Sequence, residues 1–104
     1  MDSDLKQRWL NALRSGEYEQ ATGKLRDDTN GFCCLGVLLD LDDPNGWDLD
    51  NEWNVHPNAD DTTMPSPAFM YSIGLQSDLA ADLAALNDNG STFAEIADKI
   101  EVDA

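Results

Sequence analysis

The chain has 104 residues, 21 acids against six Lys and Arg, and a formal net charge of −15. A chain of this length makes one small domain with little core to spare. The charge argues against direct binding of free nucleic acid, and no apolar run is long enough to span a bilayer.

Met1-Asp2-Ser3-Asp4 shows none of the basic-then-apolar pattern of a secretory signal, so the expected setting is the cytoplasm. Ser3 is the expected cap of a helix over about 4–14. Leu5, Trp9, Ala12 and Leu13 form its core stripe, and Ser15-Gly16 is its stop. Lys6, Arg8 and Arg14 fall off that stripe, as they do on any solvated helix face. Residues 17–30 read as a loop with a short extended piece near 21–26, which places Lys24 and Arg26 on one side and Leu25 opposite.

Gly31-Phe32-Cys33-Cys34-Leu35-Gly36-Val37-Leu38-Leu39 is the longest apolar run. A buried strand and a helix compete for it. Leu35, Leu38 and Leu39 at helical spacing, Asn30-Gly31 before and Asp42-Asp43-Pro44-Asn45-Gly46 after favour a central helix over about 31–42. Gly36 in its middle implies close approach of another backbone. The adjacent Cys33 and Cys34 are not a disulfide scaffold and read as small buried hydrophobes in a reducing compartment. An apolar setting raises a thiol pKa, which disfavours a Cys-His nucleophilic pair with the single His56.

Residues 47–55 nearly alternate apolar and polar and suggest a small β-hairpin turning near Asp50-Asn51. Asp43, Asn45 and Glu52 also fall at EF-hand ligand positions, a weak calcium match. Leu41 stands at the first position and cannot ligate. His56 lacks the partners of a zinc site. Ser66-Pro67 opens a short helix to about 73, stopped by Gly74. Ser77 caps a helix to about 86, with Leu79, Leu83 and Leu86 on one face, and Asn87-Asp88-Asn89-Gly90 ends it. Thr92 and Glu95 make a capping box for a last helix with Phe93, Ile96, Ala97 and Ile100 buried. The fold expected is α+β, mainly α: about four short helices around the central apolar helix, with one hairpin. An oligomer with a site between chains is compatible with it.

Charge divides the chain. The first 26 residues carry five of the six cations against four acids, and the remainder carries 17 acids and Lys99. Self-repulsion opposes folding, so such asymmetry has a cause outside the fold. Adaptation to salt is one cause. Mimicry of a nucleic-acid backbone is another. The retained cations are the third concern, since Arg suits phosphate through its bidentate fork.

Trp9 to Tyr18, Gly31 to Leu38 and Leu86 to Asp98 resemble a family of small hypothetical proteins encoded by phages and prophages. The resemblance spans most of the chain apart from roughly residues 41–64. It implies a viral accessory protein acting in a host cytoplasm and carries over no activity. The acidic middle departs from the family's pattern and points to the host environment.

Two functions follow. The first is a non-enzymatic counter-defence protein that sequesters a nucleotide-type signal. Arg8, Arg14, Lys24 and Arg26 would meet phosphates, Gly31 and Phe32 would offer N–H groups at a helix start, and Trp9 or Tyr18 would stack on a base. The second is an acidic inhibitor that docks on a basic host protein. No base or nucleophile stands out for an enzyme, and no cofactor is implied.

Overall fold

The computed structural model describes residues 1–48 and 55–104. In chain order these form α1 (Ser3–Ser15), β1 (Glu19–Gln20), β2 (Gly31–Phe32), α2 (Cys34–Asp42), α3 (Pro67–Ile73), α4 (Ser77–Asp88) and α5 (Phe93–Asp103). The fold is α+β and mainly α, with a two-stranded parallel sheet pairing Glu19 with Gly31 and Gln20 with Phe32.

Four helices close a ring: α1 packs on α2 and α5, and α4 packs on the same two. The apolar run supplies the centre, with every residue from Gly31 to Leu39 buried. Trp9 of α1 is 0% exposed and donates its indole N–H to the Cys34 carbonyl at 2.9 Å, so a large ring enters the core without an orphaned polar atom. The α1 stripe is Leu5, Trp9, Leu10 and Leu13, with Ala12 only partly buried.

Several starts and stops follow local chemistry. Ser66 accepts from the Phe69 N–H, and Pro67 stands in the first turn of α3. Thr92 and Glu95 form the expected capping box of α5. Two expected caps are displaced by one residue. Asp2, not Ser3, caps α1 by accepting from the Leu5 N–H at 2.8 Å, because a carboxylate suits the positive helix end. Gln76, not Ser77, occupies the N-cap of α4, and its side chain makes no capping bond.

The larger correction concerns the start of the central helix. It begins at Cys34, and Gly31-Phe32 is extended. The turn before it dictates this. The Asp27 carboxylate accepts the Gly31 N–H at 2.8 Å, the Gly31 carbonyl accepts the Asp27 N–H at 2.9 Å, and Asn30 takes a left-handed φ of 63°. That closure sends the chain out in β geometry. The extended pairing lies at 19–20 with 31–32, and of the 21–26 piece only Arg26 bridges, to Phe32.

Gly36 plays the part its sequence position implies. A Cβ built there would lie 1.7 Å from the Leu25 carbonyl oxygen, so the two backbones touch. At the expected hairpin, Asp48 donates its N–H to the Val55 carbonyl at 2.8 Å in an isolated antiparallel bridge. The expected turn at Asp50-Asn51 lies outside the described residues.

Candidate functional site

The start of α2 is the expected anion cradle, and side chains of the fold fill it. The Cys34 N–H donates to Asn87 Oδ1 at 3.2 Å, and the Gly36 N–H donates to Cys33 Sγ at 3.4 Å. Asn87, 0% exposed near the end of α4, also accepts from the Gln20 amide at 3.0 Å and donates to the Ala21 carbonyl at 2.7 Å. One buried amide therefore ties α4, β1 and the head of α2. The sequence marks Asn87 only as part of a turn-like string. Gly31 and Phe32 do not present N–H groups at the helix start. The Gly31 N–H is held by Asp27, and the space over Gly31 is taken by the Ala21 methyl and the Asp27 carboxylate.

The cations do not converge there. Lys6 Nζ reaches the Glu101 and Ala104 carbonyls at 3.2 and 2.6 Å, at the C-terminus of α5. Arg8 reaches the Leu41 carbonyl at 2.9 Å, at the C-terminus of α2. Each satisfies orphan carbonyls and meets the negative helix end, worth about 0.3–1 kcal/mol. Arg14 pairs with Asp98 at 2.9 Å and Glu101 at 3.4 Å, which raises its already high pKa through hydrogen bonds to Asp98 and then Glu101. Lys99 pairs with Asp103 at 2.8 Å. Arg26 bonds Asn30 Oδ1 at 2.7 Å and lies over the rings of Phe32 and Trp47, 5.1 and 5.5 Å from their centroids. Lys24 lines two adjoining hollows of about 420 and 290 Å³. Asp27 and Asp28 line the larger and Asp88 the smaller, so a phosphate entering either meets carboxylate as well as Lys24.

The aromatic candidates are also engaged. Trp9 is buried, and Tyr18 donates to Asp40 Oδ2 at 2.5 Å. Trp47 donates to the other oxygen of Asp40 at 3.0 Å. Burial, then the bond to Asp40, raises the Tyr18 pKa. Arg26, Tyr18, Phe32, Trp47 and Asp40 thus form one cluster, while Arg8, Arg14 and Lys24 make contacts elsewhere.

Burial pushes the Cys33 thiol up to about 11 and the Cys34 thiol higher still, which leaves no ready thiolate at neutral pH. His56 is buried. Its Nδ1 accepts from the Asn58 N–H at 3.1 Å, so Nε2 carries the proton and donates to the Asp43 carbonyl at 3.0 Å. Of the calcium candidates, Asp43 accepts the Asn45 N–H at 3.2 Å, and Glu52 lies outside the described residues. Among the described residues no group of three or more His, Cys, Asp or Glu is placed to hold a metal ion.

The described acids, like the cations, lie outside the core. No described Asp or Glu is buried. Two of them fold turns of the same Asp-x-Thr form. Asp27 Oδ1 accepts from the Thr29 N–H and hydroxyl and from Gly31, and Asp61 Oδ1 accepts from the Thr63 N–H and hydroxyl and from Met64. Asp27 is held below its usual pKa chiefly by the Gly31 N–H, and Asp61 chiefly by the Thr63 hydroxyl. Stability from these depressed carboxylates is present above the unfolded-state pKa and is lost as pH falls through the folded-state value. Asp27→Asn with Asp61→Asn is expected to cost about 1 kcal/mol per site at neutral pH and to converge on the parent in acid. Urea unfolding across a pH series checks this, and a constant gap down to low pH would contradict it.

Among the described residues no helix is long and apolar enough to cross a membrane. Fold and site together define a small α-rich α+β protein with an acidic exterior. Residues 1–64 match the family described as a domain of unknown function, DUF8296, and the chain belongs to that family. The match runs through residues 41–64, the stretch set apart in the sequence comparison, and stops before the Leu86–Asp98 string. No curated protein and no solved structure matches the chain.

Proposed function

We propose that the protein is a non-enzymatic binding protein whose acidic surface docks on a basic partner protein, and that it serves as an accessory protein of a phage or prophage. The observation that supports this best is the use made of the cations. Lys6 and Arg8 close helix ends, Arg14 and Lys99 pair with acids of α5, Arg26 is folded onto aromatic rings, and Lys24 has its own partners. The 21 acids outnumber these six cations, and none of the described acids is buried. A field of one sign steers a partner of the other sign and selects against acidic competitors.

Sequestration of a nucleotide-type signal has less support, because its eight candidate residues do not share a pocket. A thermal-shift screen with cyclic and linear nucleotides is expected to leave the midpoint unmoved. A ligand-dependent rise would restore that reading. Capture from a cell lysate at low salt is expected to retain a basic protein that added double-stranded DNA displaces. Failure to retain any basic protein would leave salt adaptation as the account of the charge.

A further inference from the structure

A hollow of about 530 Å³ lies between α3 and α4. Gly74 ends α3 in a left-handed conformation with φ of 74°, and α4 begins three residues later, so the helices meet at a corner. Met70 and Leu75 are buried in its floor, and Tyr71, Gln76 and Asp78 stand on its rim. Tyr71 is 89% exposed, so its ring face is open to a partner. Among the described residues the side chains of Tyr71, Gln76 and Asp78 have no hydrogen-bond or ion-pair partner.

We infer that this corner takes an arginine side chain of the basic partner. The inference rests on the acidic-docking reading and names where its anchor sits. A planar guanidinium can lie on the Tyr71 ring and meet the Asp78 carboxylate while its methylene stem covers Met70 and Leu75. Charge chooses among occupants. An anionic group faces Asp78 and a body of net charge −15. A purely apolar side chain leaves Asp78 with less water and no partner. A second copy brings the same −15 to the contact. A lysine satisfies Asp78 but lacks the flat face that suits the ring.

The test uses the full chain and two probes of equal length, an oligoarginine and an oligolysine peptide, titrated at low salt and followed by anisotropy. The oligoarginine peptide is expected to bind more tightly. Tyr71→Ala, at a position exposed enough to leave folding intact, is expected to remove about threefold of that affinity and most of the arginine preference. Asp78→Asn is expected to weaken binding more than Asp60→Asn, an exposed acid that does not line the hollow. Equal effects of Asp78→Asn and Asp60→Asn, with Tyr71→Ala silent, would overturn the anchor and leave general acidic docking standing. Binding of neither peptide would overturn the docking reading itself. A parent dimer that Tyr71→Ala converts to monomer, read by native mass, would give the corner to a second copy and overturn the inference.

Discussion

Gly36→Ala is expected to destabilise the protein by about 3 kcal/mol, at the top of the usual range for overpacking. The new methyl would lie 1.7 Å from the Leu25 carbonyl oxygen and 2.6 Å from its carbon. Both are backbone atoms, so no rotamer change relieves the overlap. Leu25 cannot step aside cheaply. Its N–H donates to the Thr62 carbonyl at 2.7 Å, its carbonyl accepts the Cys33 N–H at 3.3 Å, and its side chain is buried. Alanine's better helix propensity returns only about 1 kcal/mol against that. In a domain of this size the thermal midpoint should fall by roughly 10 °C or more. Calorimetry of the purified variant checks it, and an unchanged midpoint would mean that α2 and the Leu25 backbone do not touch as described.

Asn87→Ala carries the second large effect. It removes one acceptor and one donor at once, leaving the buried Cys34 N–H and the Ala21 carbonyl without their bonds. At about 1–3 kcal/mol for each group left unsatisfied, a loss of about 3 kcal/mol is expected. The Gln20 amide is hurt less, because it also donates to the Ser91 carbonyl at 2.8 Å. The effect should be local as well as global: the Cys34 amide should lose more hydrogen-exchange protection than the Val37 amide, which bonds within the helix to Cys33 at 3.1 Å. Uniform loss of protection would show that Asn87 contributes only to overall stability and does not hold the head of α2.

Local chemistry explains what was legible. Ser66-Pro67, Thr92 with Glu95, and the glycines after α1 and α3 signal helix ends through bonds made within a few residues. The α2 run is readable as buried, and Gly36 as a contact. Its first residues are not, because a short apolar run has no periodicity that separates strand from helix, and the Asp27–Gly31 turn decides the matter. Asn87 looks like a loop residue among Asp88, Asn89 and Gly90, since its partners lie more than 50 positions away. The cations teach the same lesson. Arg8 finds Leu41 and Arg14 finds Asp98 only after the chain has closed, so an apparent cluster in sequence disperses in space. Bulk charge, by contrast, needs no fold to be read.

The role proposed for this charge is to dock on a basic partner. Its most direct test is the salt dependence of binding to the basic protein recovered by low-salt capture. The logarithm of the affinity is expected to fall steeply and linearly with the logarithm of salt concentration, and DNA to compete for the partner's basic surface. Affinity that holds constant as salt rises, with no competition by DNA, would contradict it.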